Sequence, residues 1–378
     1  MKRQDFPLLK NLVYLDSAAA ALKPRVVFEK LAQFYERYPL NVHNSDAPIA
    51  IEVVHQINQL RSELGELINA QANEIIFTTS ATDSLNRVAR MVEHLVTPGD
   101  QILLSYYNHA SQITPWLELA RRTKAQVVYA DDLLPAINSR TKVIAYAQLN
   151  NTLARPTDPA RIWKKAQSAK ALVINDAAQA IAHEPVTLKH AHVVAFSANK
   201  LYGPAGIGVL AIQSDLLDKL EPVTFGGGAT KVVADQTWQP SRGISRYEPG
   251  TPDHFGLLAF RVALNYFLKN RDFKAEKKLA RYAHKQLKSC PGITLYSQPE
   301  DVICLFNYQH FNAHDIVSYL ARRGIILRGG THCAPLAAKA NQVLSAIRLS
   351  IGGYNDQSDI DKLISALKEG GDFLDELV

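Results

Sequence analysis

The 378-residue sequence predicts an α/β protein, with a large domain on a mainly parallel central sheet followed by a smaller C-terminal α/β domain. Short apolar runs of strand length alternate with stretches of helical periodicity. The alternation stops in a segment rich in glycine and proline, then resumes with a second, shorter set of elements. On this reading residues 14–262 form the large domain and 263–378 the small one, with residues 1–13 packing near the small one.

Taken in order, the buried strand candidates are Glu74–Thr78, Gln101–Ser105, Lys142–Ala147, Ala171–Ile174, His192–Phe196 and Gly208–Ile212. Helical patterns lie between most of them, as in Leu85, Val88, Ala89, Val92, Leu95 and Val96, which recur at i, i+3, i+4 and i+7. Such alternation implies parallel strands covered on both faces. From Lys219 to Gly256 the periodicity is lost, and Gly226-Gly227-Gly228 and Glu248-Pro249-Gly250-Thr251-Pro252 mark an irregular active-site or interface loop. A helix is expected from near Phe255, with Leu257, Leu258, Phe260, Leu264 and Phe267 apolar, bridging the two domains. Beyond it come a strand near Val302–Phe306, a helix near His314–Arg323, strands near Ile325–Arg328 and Ile347–Ile351, and a last helix from Asp359.

Composition narrows the function classes. The net charge of +6 is spread along the chain without a block of like charges, which argues against nucleic-acid binding. Lys10, Asn11 and Asp16 interrupt any N-terminal apolar segment, and no run is long enough to span a membrane, so a soluble cytoplasmic protein is expected. Cys290, Cys304 and Cys333 fit neither a disulfide framework nor a zinc site.

Ligands of open α/β sheets gather beyond the carboxyl ends of the strands. There the sequence places Thr78-Thr79-Ser80-Ala81-Thr82-Asp83, Asn108-His109, Asn150-Asn151, Asp176 with Gln179, and Ser197 with Lys200. A lysine at the mouth of a sheet, partly desolvated, is suited to form an imine. An aspartate at the same edge could keep a pyridine nitrogen protonated, and pyridoxal 5'-phosphate requires both groups. Lys200 and Asp176 are the candidates. Thr78 to Asp83 leads into a helix and offers either an anion site or ordinary N-capping by Ser80 or Thr82. Gly203-Pro204-Ala205-Gly206-Ile207-Gly208 is not a dinucleotide loop, because it runs into an apolar strand rather than a helix. His109 could stack on a flat ring or move a proton. Lys189-His190-Ala191-His192 offers two histidines without a third ligand, so no metal is expected. Cys333, in Arg328-Gly329-Gly330-Thr331-His332-Cys333-Ala334, has a cation and a histidine nearby and is a candidate nucleophile, whereas Cys304 reads as a small buried hydrophobe. Arg348 is a candidate carboxylate clamp.

Together these motifs resemble the class V aminotransferase-like pyridoxal enzymes of fold type I, and within them the group II cysteine desulfurases of SUF-type iron–sulfur assembly. The resemblance runs from Tyr14-Leu15-Asp16-Ser17-Ala18-Ala19 to Arg348-Leu349-Ser350-Ile351-Gly352-Gly353-Tyr354-Asn355. Its most specific pieces are Lys200-Leu201-Tyr202-Gly203-Pro204, Gly226-Gly227-Gly228, Glu248-Pro249-Gly250-Thr251-Pro252 and His332-Cys333-Ala334. The resemblance implies that Lys200 carries the cofactor as an imine, that Asp176 faces the pyridine nitrogen and that His109 stacks on the ring. It sets Gln179 and Asn150 near the phenolic oxygen, and Ala81, Thr82, Ser197 and Asn199 in the phosphate cup. It gives Thr251 to the phosphate of a neighbouring subunit, hence a homodimer, Arg348 to the substrate carboxylate and Cys333 to the sulfur. The implied reaction turns L-cysteine into L-alanine and leaves a persulfide on Cys333 for an acceptor protein of the SufE or SufU kind.

The chain departs from the family pattern at Asn199, where histidine is usual, and at Asn108, where glutamate is usual. Asn44-Ser45 replaces Arg-Gly after His43, and the Asn150 loop lacks its Gly-Thr. Other readings fit the same residues: a lyase acting on L-selenocysteine, another class V β-lyase or aminotransferase, and a degenerate pyridoxal-binding regulatory partner.

Overall fold

The computed structural model describes residues 1–38, 47–153 and 157–369; His43, Asn44 and Ser45 lie outside the described residues. Its strands, in chain order, are β1 (Val13–Tyr14), β2 (Ile75–Thr78), β3 (Gln101–Ser105), β4 (Gln126–Ala130), β5 (Thr141–Ala147), β6 (Leu172–Asp176), β7 (Val193–Ser197), β8 (Gly208–Ile212), β9 (Thr230–Ala234), β10 (Thr237–Pro240), β11 (Ile293–Leu295), β12 (Ile303–Tyr308), β13 (Ile325–Ile326), β14 (Arg328–Gly330) and β15 (Ala346–Ser350). All six strands expected in the large domain are present.

The central sheet has seven strands in the order β2-β8-β7-β6-β5-β3-β4. β3 to β7 run parallel to their neighbours, and only β8 is reversed, pairing antiparallel with both β7 and β2. The short connection from Ala198 to Ile207 explains the reversal, because a parallel return needs a crossover helix for which there is no room. β3, β7 and β8 are buried throughout, as their unbroken apolar runs imply.

Each face of this sheet is covered. On one side helix Ala81–Met91 buries Leu85, Val88 and Ala89 beside Trp116 and Leu119. On the other, Phe196, Val194 and Ile144 pack with Leu60 and Leu64 of helix Pro48–Ile68 and with Leu257, Phe260 and Leu264 of helix His254–Asn270. Helix His254–Asn270, capped by Asp253 through Gly256 N, packs its buried residues into this core.

A four-stranded antiparallel sheet, β11-β12-β15-β14, forms the smaller unit. β1 pairs with β13, and Val13, Leu15 and Ala18 enter this second core while Phe6 and Leu9 join the first. The N-terminal chain thus crosses from one core to the other.

Three features correct the sequence reading. The segment expected to be irregular carries the antiparallel hairpin β9–β10. β4 and β11 were not expected, and the single strand expected over Ile325–Arg328 is split between β13 and β14. β4, β11 and the hairpin are edge or exposed elements; β11 and the hairpin have only short apolar stretches, while β4 carries the apolar run Val127–Ala130 without being fully buried. Among the described residues no helix is long and apolar enough to cross a membrane.

Candidate active site

Sheet register assembles the site. Ala147 lies opposite Asp176, Ser197 opposite Gly208, and Gly208 opposite Thr78, so the ends of β5, β6, β7 and β2 meet at one edge. Gly208 is the tight point of this edge: a Cβ there would run into Ser80 and the Thr78 hydroxyl. A cavity of about 250 Å³ opens just beyond. Of the residues expected to act there, Lys200, Asp176, His109, Gln179, Ala81, Thr82, Ser197 and Asn199 line it.

Lys200 ends a 3-10 turn after β7 and donates from Nζ to the carbonyls of Ala18 at 2.5 Å and Ala19 at 2.7 Å. Burial lowers its pKa to about 8, with Arg348 adding to the shift and Asp16 and Asp176 opposing it. Asp176 moves the other way: burial raises it to about 6, against the Ala178 amide and the charge of Lys200. Gln179 Nε2 also donates to Ala18 O, at 2.8 Å, so the N-terminal chain forms one wall of the site.

His109 follows β3. Its Nδ1 accepts from Ser111 N at 3.1 Å, which leaves the proton on Nε2, and burial together with Lys200 and Arg348 lowers its pKa and keeps the ring neutral. Asn108 does not enter the cavity: its Nδ2 donates to Ala145 O at 2.9 Å and its Oδ1 accepts from Ala147 N at 3.0 Å, stitching the His109 turn to β5. Beside the His109 turn lies the start of helix Ala81–Met91, where Ser80 Oγ caps Asp83 N at 3.1 Å and Ser197 Oγ accepts from Ala81 N at 2.7 Å. Thr82 and Ser111 join their hydroxyls at 2.8 Å. Capping and anion binding coexist here, since the helix dipole still favours negative charge.

Arg348, on β15, is buried against the same region. Its Nη2 pairs with Asp16 Oδ1 at 3.0 Å, its Nη1 donates to Asn151 O at 3.1 Å, and its Nε is buried without a partner. Arg328 Nε holds the other Asp16 oxygen at 3.0 Å. Cys333 is exposed, in a turn after β14, and its carbonyl accepts from Ala110 N at 2.8 Å, next to His109. The histidine beside it carries no charge. His332 is buried, donates from Nε2 to Ala346 O at 3.0 Å, and is pushed down to about 3 by burial and by Arg348. Positive charge near the thiol comes from Arg348 instead, whose own ionisation Cys333 favours.

Asn150 sits behind the wall, buried, with Oδ1 unpartnered, while its neighbour Asn151 lines the cavity. Thr251 is exposed and outside its own chain's cavity. Cys304 is buried, with its thiol pushed up to about 12. His192 accepts from Val173 N and packs on Trp163, and among the described residues no group of three or more His, Cys, Asp or Glu is placed to hold a metal. Asp16 is a site residue the sequence reading did not single out, though it lay within a quoted motif; Asn151 was named there only with Asn150 at a strand exit, without a role.

Residues 13–363 match a family model described as Aminotransferase class-V. The chain belongs to that family. It is 35% identical over 387 residues to a probable cysteine desulfurase of Ureaplasma parvum, covering 97% of this chain and 96% of the relative. The crystal structure of the cysteine desulfurase CsdA from Escherichia coli superposes with a TM-score of 0.91 at 33% identity, covering 100% of this chain and 98% of that one. The apo structure of a cysteine desulfurase from Thermococcus onnurineus NA1 gives 0.93 at 27% identity, covering 97% and 96%. Class V membership thus extends through both sheets, and the fold is that of these type I enzymes.

Proposed function

We propose that this class V chain is a pyridoxal 5'-phosphate-dependent cysteine desulfurase that forms L-alanine and hands sulfur from Cys333 to an acceptor protein of the SufE or SufU kind, for iron–sulfur cluster assembly. One observation carries the reading: Lys200 and Asp176 line a single cavity whose His109 wall is fastened to the Cys333 turn. Full-length relatives named cysteine desulfurases support it.

The cavity suits the cofactor: an amine near its neutral range, a buried carboxylate, a neutral flat ring and a helix start for a phosphate. Lys200 would hold it covalently, Asp176 would face its ring nitrogen and His109 its face. Gln179 would serve its phenolic oxygen; Asn150, expected beside it, does not line the cavity. Ala81, Thr82, Ser197 and Asn199 would cup its phosphate. When bound, pyridoxal phosphate supplies an electron sink for charge developing at the substrate Cα.

The protein's part is positioning and proton transfer. Asp176, ionised above about pH 6, would keep a proton on the ring nitrogen. Lys200 Nζ, once free, takes the Cα proton. Arg348 receives the substrate carboxylate. The Cys333 thiolate attacks the substrate sulfur; the Sγ–S bond forms as the Cβ–S bond breaks, the electron pair leaves toward carbon, and protonation there completes alanine. Carbon is reduced as sulfur is oxidised, so no outside oxidant is required.

Thr251, exposed and away from its own cavity, supports a homodimer in which it reaches the partner's phosphate site. Sedimentation at the mass of two chains is the expected result, and a single-chain mass excludes it. Cys333→Ala is expected to slow alanine formation from L-cysteine by about 10²-fold or more while leaving the cofactor bound. Alanine released at the parent rate would remove Cys333 from the reaction.

A further inference from the structure

β2 is the outer strand of the central sheet: it pairs with β8 on one side and, among the described residues, with no strand on the other. An open edge leaves main-chain donors and acceptors to be satisfied. Here a side-chain ion pair satisfies them. Arg61, from helix Pro48–Ile68, donates from Nη1 to Ile75 O, and Glu248 accepts from Phe77 N at 2.7 Å. The two side chains also join in a two-pronged pair, Nη1 to Oε1 at 2.8 Å and Nη2 to Oε2 at 2.9 Å, with the buried guanidinium 4.4 Å from the Phe77 ring centre.

The place of this pair gives it a second consequence. Glu248 stands three residues before Thr251, and the chain on either side of it is fixed as well: Arg87 Nη1 donates to Tyr247 O at 3.2 Å, and Gly250 N donates to Gly227 O at 2.7 Å. β2 runs straight into Thr78–Asp83, and Arg87 lies on the helix which that turn opens. The Thr251 segment is therefore anchored to the framework of this chain's own phosphate cup. A largely buried ion pair costs desolvation that an apolar contact would avoid, and what it gives in return is a fixed direction. We infer that Arg61 and Glu248 are positioning residues that set the reach of Thr251, so that the sheet edge of one chain completes the phosphate site of its partner. This rests on the reading of Thr251 as a phosphate contact across a homodimer.

The cofactor's phosphate separates this role from support of the fold. In the cofactor-free full chain, Arg61→Met keeps an apolar stem without the charge, Glu248→Gln keeps an acceptor for Phe77 N without the charge, and Thr251→Val removes the phosphate contact itself. Binding is read on titration as the visible absorbance of the lysine-bound cofactor. All three variants are expected to bind pyridoxal 5'-phosphate about tenfold more weakly, and pyridoxal, which lacks the phosphate, within about twofold of the parent.

A mixed dimer, isolated through two different affinity tags, locates the effect. One chain carries Arg61→Met and the other Lys200→Ala, so the absorbance reports only the cavity of the Arg61→Met chain, whose phosphate site meets an intact Thr251 segment. Affinity for pyridoxal 5'-phosphate is expected to return to the parent value. Affinity as weak as in the Arg61→Met homodimer, or an equal loss for pyridoxal, overturns the inference, because the pair would then serve its own chain or the fold. Weak binding by Thr251→Val, with Arg61→Met and Glu248→Gln both at the parent value, also overturns it and leaves the Thr251 reading standing. Thr251→Val at the parent value removes that reading and the inference with it.

Discussion

Lys200→Ala is expected to abolish the visible absorbance of the lysine-bound cofactor and to reduce turnover of L-cysteine by about 10³-fold or more. Among the described residues no other lysine lines the cavity. The environment also makes Lys200 reactive in a way that pH reveals. With its pKa near 8 rather than 10.5, about half of its amine is unprotonated at pH 8, against about one in 300 for an ordinary lysine. In cofactor-free protein, recapture of pyridoxal phosphate should accelerate as pH rises and level off above about 8, because only the neutral amine attacks. Stopped-flow absorbance reads both effects. A parent-like spectrum in Lys200→Ala, or recapture still rising steeply from pH 9 to pH 10 as for an ordinary lysine, would remove Lys200 from its role.

Asp176→Asn should move stability and activity in opposite directions. Burial raises the Asp176 pKa from 3.8 to about 6, so the folded protein holds this proton more tightly than the unfolded chain does. Its ionisation therefore opposes folding, by nothing below about pH 4, increasingly between about 4 and 6, and fully above. Asparagine keeps an acceptor for Ala178 N and carries no charge, so cofactor-free Asp176→Asn should be more stable than the parent at pH 8 by about 2–3 kcal/mol, with the gap closing toward pH 4. The same change removes the charge proposed to keep the ring nitrogen protonated, and activity should fall by about 10²-fold or more. Stability given up for a functional charge is a familiar exchange. Thermal unfolding at the two pH values checks the first half, and equal differences at both would refute it.

The parts of the fold legible in the sequence are those that water never sees. β3, β7 and β8 are buried throughout, each around an apolar run, and β3 and β8 begin and end where the sequence reading set them. β4 also carries an apolar run, Val127–Ala130, but is only partly buried at the sheet edge; β11 and the β9–β10 hairpin are partly or fully solvated, and their pairing partners more than their composition make them strands. The site divides similarly. Lys200, Asp176 and His109 follow directly on strand ends, so reading each strand's exit finds them. Asp16 owes its importance to Arg348, 332 residues away in the chain, and no local pattern records such a partner. Asn108, a departure where glutamate is usual, proves to be a buried stitch between the His109 turn and β5. His332, noted only as a histidine near the thiol, is neutral, because burial within the turn outweighs its hydrogen bond to Ala346.

The central claim is that sulfur from free L-cysteine comes to rest on Cys333. Intact-mass spectrometry of the cofactor-loaded protein after incubation with L-cysteine, followed by peptide mapping, tests it most directly. The account predicts a gain of one sulfur atom, located at Cys333, removable by thiol reductant and absent in Lys200→Ala. Alanine released with no added mass on Cys333, or the added sulfur found on Cys290 or Cys304, would contradict it.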